Sequence, residues 1–150
     1  MELSIHSDEH FMKEALKQAA IASEEGEIPV GAVVVANKTI IARAYNQTER
    51  LGDPTAHAEM LALTAATNYL GTKYLSDCSL YVTLEPCGMC AGALYWSQLG
   101  KLVYAAADDR RGFMTINPSM LHPKTEVKRG PFADEAGNMV TTFFQKLRGK

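Results

Sequence analysis

No stretch of this sequence stays apolar long enough to cross a membrane. The longest mostly apolar run is residues 30–36, against the roughly 20 residues that a spanning helix needs. The opening Met1-Glu2-Leu3-Ser4-Ile5-His6 has no basic start and no apolar stretch behind it, so no signal peptide is expected. Cysteine is scarce: 3 residues, too few and too odd in number for a disulfide-stapled fold. Positive charge is not in excess either, with a net charge of −2 and a pI near 6.1. Overall charge therefore gives no reason to expect a polyanion partner. Repeats and low-complexity tracts are absent as well. What remains is 150 residues of ordinary composition, 47% hydrophobic and 21% charged, which predicts a single soluble domain with a self-sufficient core.

The charge is unevenly spread. Residues 1–100 hold 6 Lys+Arg against 12 Asp+Glu, whereas residues 101–150 hold 9 against 5. A basic final third is compatible with phosphate contacts, from Arg110, Arg111, Lys124, Lys128, Arg129, Lys146, Arg148 and Lys150, and Phe113 could stack on a base. A solvated acidic first helix and a basic last helix, complementing its own C-terminal end, account for the same numbers.

Apolar periodicity predicts a first amphipathic helix over 8–25, carrying Phe11, Met12, Ala15, Leu16, Ala19 and Ala22 on one stripe and ending at Gly26. Two β-branched runs, 30–35 and 39–44, flank Asn37-Lys38 and read as a hairpin. Residues 46–54 are polar and turn-rich. A helix follows over 57–69, with Gly71 just past its end. Strand 80–84, helix 87–96 and strand 102–106 come next. Residues 108–124 are the least regular, a short strand is possible near 125–128, and 134–147 reads as a last helix with Met139, Val140, Phe143, Phe144 and Leu147 on one face. A hairpin followed by alternating helices and strands is an α/β pattern, with a partly parallel sheet between layers of helix.

Two short pieces carry the chemistry: His57-Ala58-Glu59 and Pro86-Cys87-Gly88-Met89-Cys90. Cys87 and Cys90 stand one helical turn apart, so both thiols can face one ion. A helix N-terminus favours thiolate, the form that binds zinc. His57 supplies a nitrogen ligand. Three ligands without an obvious fourth are the pattern of a catalytic zinc site, which leaves one position for water and lowers its pKa to about 7. Glu59, two residues beyond His57, does not share its helical face. It is placed to shuttle a proton between water and substrate. A thioredoxin-like redox pair would leave His57 and Glu59 unexplained. A structural zinc site would need a fourth ligand from Cys78, His6, His10 or His122, none of which has a second ligand beside it. Cys78 reads more simply as a small buried apolar residue, and the three histidines as surface residues.

His-Ala-Glu followed by Pro-Cys-x-x-Cys resembles the zinc-dependent cytidine deaminase-like superfamily. The likeness extends through Glu27-Ile28-Pro29-Val30-Gly31-Ala32-Val33, Asn46, Asp53-Pro54-Thr55-Ala56, Leu80-Tyr81-Val82-Thr83-Leu84-Glu85 and Ala91-Gly92-Ala93. Together with Phe143-Phe144 these are similar to the bacterial tRNA-specific adenosine deaminases. The resemblance implies a three-layer α/β/α sandwich with a mixed five-stranded sheet. It implies one Zn²⁺ on His57, Cys87 and Cys90, Glu59 as the catalytic proton carrier, and a cytoplasmic homodimer. It also implies a substrate pocket touched by Asn46 and walled by Ile28, Pro29, Val30 and Ala58, and deamination of a wobble adenosine in a tRNA anticodon loop to inosine.

The chain departs from that family after Asp108. Asp109-Arg110-Arg111-Gly112-Phe113-Met114-Thr115-Ile116-Asn117-Pro118 replaces a Gly-rich stretch with a Gly-Ser pair, and Tyr95-Trp96 is similar to guanine deaminases. Deamination of a free nucleobase or nucleoside is therefore the alternative activity. A zinc-stabilised binding module without catalysis is the alternative of a different class.

Overall fold

The structure, a computed structural model, describes residues 7–149. Helix α1 (Asp8–Glu24) opens on Ser7, whose hydroxyl accepts from the His10 amide at 3.1 Å. Asp8 and Glu9 in its first turn complement the helix dipole. Its predicted stripe is buried at Phe11, Met12, Ala15, Ala19 and Ala22, with Leu16 half-buried against the same core. Strands β1 (Gly31–Ala36) and β2 (Thr39–Tyr45) pair antiparallel. Asn37 and Lys38 between them both have positive φ, 51° and 62°, the backbone that matches a two-residue turn to strand twist. Gly31 is where α1 crosses the sheet: a Cβ there would lie 2.5 Å from the Ala19 amide nitrogen and collide with the Ala15 carbonyl oxygen.

Strand β3 (Cys78–Leu84) pairs antiparallel with β1, and β4 (Lys101–Ala106) and β5 (Glu126–Arg129) continue the sheet in parallel. The order is β2-β1-β3-β4-β5. Helices α3 (Ala58–Leu70) and α4 (Gly88–Trp96) cover one face. There Ala58, Ala62, Leu63, Ala91 and Leu94 pack on Ala32, Val34, Leu80, Val82 and Leu102. Helices α1 and α6 (Ala133–Arg148) cover the other, with Phe11, Met12, Ala15 and Ala136 on Val33, Val35, Tyr81 and Val103. Alternate residues of the central strands thus feed two cores, and the three-layer sandwich expected from the sequence is the fold. Edge strand β5 is exposed along its length and carries Glu126, Lys128 and Arg129, charges that discourage pairing with another sheet.

Two segments read as irregular contain short helices. These are α2 (Thr48–Leu51) within 46–54 and α5 (Phe113–Ile116) within 108–124. Phe113 is not a stacking platform. It is fully buried and meets the Tyr104 ring edge-on at 6.2 Å. Two of the cations expected to face phosphate are engaged within the fold: Lys128 Nζ lies 2.6 Å from Asp8, and Arg129 donates to the Ala105 carbonyl at 3.0 Å. His6 and Lys150 lie outside the described residues.

Candidate active site

The helices bearing the two motifs start one residue later than the sequence suggests, at Ala58 and Gly88. His57 and Cys87 are their N-caps. Both have extended backbone (φ −72°, ψ 153° and φ −75°, ψ 177°), and neither side chain caps its own helix. Each is free to turn toward the other. His57 Nδ1 stands 3.6 Å from Cys87 Sγ and 3.5 Å from Cys90 Sγ, and the three donor atoms lie within 4.8 Å of one another. Tetrahedral zinc, with bonds of about 2.0–2.1 Å to nitrogen and 2.3 Å to sulfur, sets nitrogen and sulfur roughly 3.5 Å apart. The donors therefore fit zinc in both type and spacing. Among the described residues this is the sole group of three such side chains so placed.

The electrostatics agree. Two helix N-termini converge here, and both favour negative charge. The Cys90 thiol, followed by His57, holds the Cys87 thiol down at about 4, while donating to that thiolate pushes Cys90 up. His57 is raised, chiefly by its contact with Cys87. Metal binding would displace the remaining thiol proton. Glu59, in the first turn of α3, is 4% exposed. Burial pushes its carboxyl up to about 7, with its own backbone N–H and Cys90 among the groups touching it. It lies outside the three-ligand group but adjoins it, as its two-residue offset from His57 suggests.

Asn46 follows β2 and is buried. Its amide nitrogen donates to the Ile28 carbonyl at 3.5 Å, and its backbone N–H to the Val30 carbonyl at 3.0 Å. Its Oδ1 is buried with no hydrogen-bond partner. The structure thus joins Asn46 to the segment holding Ile28, Pro29 and Val30. Ala58 is fully buried, in the same core cluster as Val30 and Ala62. Cys78 opens β3 and is buried, which pushes its thiol up. His10 and His122 are half-buried. Their rings adjoin Phe11 and Tyr95 respectively.

Two buried carboxylates were not legible as site features. Glu27, 1% exposed, accepts from the amides of Glu49 and Arg50 at 3.0 and 2.7 Å. Glu85, 4% exposed, accepts from the amides of Asp108 and Met114 at 3.0 and 2.9 Å. Their partners stand 22 to 29 residues away. The sole local signal is a carboxylate set against an apolar strand.

Comparison with known proteins agrees with this geometry. A tRNA-specific adenosine deaminase from Aquifex aeolicus (strain VF5) is 45% identical over 145 residues, 93% of this chain and 95% of that protein. A solved structure from biochemical and structural studies of A-to-I editing by tRNA:A34 deaminases superposes with a TM-score of 0.81. It has 38% identity over 87% of this chain and 99% of its own. A guanine deaminase from Bacillus subtilis superposes with a TM-score of 0.65 and 43% identity, over 67% of this chain and 65% of its own. Residues 5–106 match the cytidine and deoxycytidylate deaminase zinc-binding region, and the chain belongs to that deaminase family.

Proposed function

We propose that this chain is a zinc-dependent hydrolase that converts the wobble adenosine of a tRNA anticodon to inosine and releases ammonia. The observation that carries the reading is the juxtaposition of three zinc donors with the buried carboxyl of Glu59. His57, Cys87 and Cys90 would hold the ion. Zinc, when bound, supplies the Lewis acidity that makes water a nucleophile at neutral pH. Glu59 then does the proton work. Buried beside the ion, it can carry one proton from water to the purine ring nitrogen, where it stays, and a second, from the new hydroxyl on the ring carbon, to the departing amine. Asn46 Oδ1, buried without a partner, is an acceptor waiting for a donor on the nucleoside. Ile28, Pro29, Val30 and Ala58 would border the base. An anticodon loop presents that base already unpaired, so no duplex has to be opened.

Several features support the setting. Arg110, Arg111, Lys124, Lys146 and Arg148 are exposed and suit a phosphate backbone. Met89, Tyr95 and Trp96 are exposed on α4, as are Tyr69 and Leu70 at the end of α3, and Trp96 is 77% accessible. Such apolar area favours a homodimer. No described helix is long and apolar enough to cross a membrane, and the three cysteines are free. We propose a single deaminase domain working where thiols stay reduced, as thiolate zinc ligands require.

The likeness to a guanine deaminase over two thirds of this chain favours a second reading, hydrolysis of a free base. The deciding experiment is mass spectrometry of an arginine-tRNA anticodon stem-loop beside adenosine, adenine, guanine, cytidine and cytosine, with Glu59→Ala as the blank. Inosine in the stem-loop alone is the expected result. Ammonia from a free base with the stem-loop untouched would replace the reading by the second. Turnover that survives Glu59→Ala would refute both.

A further inference from the structure

Glu85 is buried, is absent from the zinc group, and has no task in the chemistry above. It stands one residue past β3 and two before Cys87. Its backbone N–H donates to the Ala106 carbonyl at 2.8 Å, at the end of β4. Its two carboxylate oxygens divide their work: Oε1 takes the Asp108 amide and Oε2 the Met114 amide. The intervening residues fold around that carboxylate. The Asp108 side chain accepts from the Arg110 and Arg111 amides at 3.0 Å each, and the Gly112 amide donates to the Asp108 carbonyl at 3.0 Å. Gly112 lies so close that a Cβ would collide with the Glu85 carboxylate.

The same segment is fastened to the zinc-ligand loop. Gly112 forms a β-bridge with Cys87, and the Phe113 amide donates to the Pro86 carbonyl at 2.9 Å. Ile116 and Met120 sit over Gly88, with Ile116 Cδ1 3.1 Å from where a Cβ there would stand. Residues 108–116 are thus a wall raised beside the Cys87 flank of the site. Little apolar side chain holds the wall apart from Phe113. Met114 and Ile116 are exposed, at 43% and 59%.

We propose that Glu85 is a positioning residue that sets residues 108–116 as the substrate-binding wall beside Cys87. It acts on how the substrate is held rather than on the chemical step. One buried carboxylate accepts two hydrogen bonds, from the Asp108 and Met114 amides, and so ties two separate points of the segment to the residue two before Cys87. The proposal rests on the deaminase reading given above only for the choice of substrate.

The test compares wild type with Glu85→Gln, which keeps size and loses the second full acceptor. In Glu85→Gln we expect full zinc content, a KM for the stem-loop raised about tenfold, and a kcat within about twofold of wild type. Hydrogen exchange followed by NMR should show the Asp108 and Met114 amides losing protection while amides of the central strands keep theirs. Gly112→Ala, which keeps the Glu85 side chain but drives a Cβ between it and the segment, should reproduce this KM-specific signature and decides the matter if Glu85→Gln fails to fold. Unchanged KM with both amides still protected would overturn the proposal, as would zinc loss or a fall in kcat at constant KM. The exchange measurement needs no substrate. If the stem-loop is not deaminated, the tRNA reading fails on its own, and KM is read on whichever base is turned over.

Discussion

His57 and Cys87 occupy the same position on two different helices. Each is an extended N-cap whose side chain leaves its own helix uncapped, and their donor atoms meet at 3.6 Å. The capping bonds given up at α3 and α4 cost local stability, since a side-chain cap contributes about 0.5–2 kcal/mol. What the site gains is two positive helix ends aimed at one point.

That focus predicts a reactivity difference among the cysteines. Cys87 is held at about 4 and is half-exposed, whereas the Cys78 thiol is buried and pushed up. After zinc is stripped by a chelator, iodoacetamide at pH 7 should alkylate Cys87 first, with Cys78 at least about tenfold slower, because thiolate is the nucleophile. Adding zinc back before the reagent should protect Cys87. Peptide mass spectrometry reads both. Equal labelling of the two residues, or no protection by zinc, would remove Cys87 from the ligand set.

Asn46 predicts a trade between activity and stability. An unpaired buried acceptor costs about 1–3 kcal/mol, and Asn46 Oδ1 is such an atom. Asn46→Ala removes that penalty, gives up the long side-chain bond to the Ile28 carbonyl, and leaves a small cavity. Stability by urea titration should therefore change by less than about 1 kcal/mol, while kcat/KM falls about tenfold or more, mostly through KM. A variant destabilised by several kcal/mol with unaltered KM would mark Asn46 as structural.

How far the sequence could be read depended on the range of the interactions involved. The hairpin at Asn37-Lys38, the stripe of α1 and the stop of α3 at Gly71 (φ 70°) are local, and local patterns announce them. The candidate metal triad was legible because its spacing constraint, Cys87 to Cys90, lies within one helical turn. By contrast, α2 and α5 are four-residue helices, too short to show periodicity. Each has backbone amides held by a carboxylate more than 20 residues away, Glu27 for α2 and Glu85 for α5. Phe113 was misread for the same reason: it packs on Tyr104 within a segment whose neighbouring Met114 amide is held by Glu85, 29 residues away.

Gly31 is a test of packing rather than chemistry. Its missing Cβ leaves room for the α1 backbone at Ala15 and Ala19. These are main-chain atoms, which cannot swing aside as a flexible side chain can. Gly31→Ala must push α1 off β1 and should cost about 1–3 kcal/mol or more, read as a lowered urea midpoint with an unchanged slope. Gly26→Ala serves as the contrast. A Cβ there meets nothing within 4 Å, and its cost comes from positive φ alone (79°), about 1 kcal/mol.

The buried carboxyl of Glu59 makes stability depend on pH in a calculable direction. Burial raises it from its ordinary 4.5 to about 7, so the folded state binds the proton more tightly than the unfolded chain does. Its stabilising contribution is complete below about pH 4.5 and is lost as pH rises through about 7, a change of about 3 kcal/mol. Glu59→Gln is neutral at every pH and escapes that loss. In metal-stripped protein it should therefore melt higher than wild type at pH 8 and equally at pH 4. Zinc beside the carboxylate favours its charged form, so loading the metal should shrink the pH 8 difference. Glu59→Ala in loaded protein should keep its zinc and lose about 10²–10⁴-fold or more in turnover. A melting gain for Glu59→Gln that is the same at pH 4 and pH 8 would show that the carboxyl is not held protonated by burial, and the proton-carrier role would lose its physical basis.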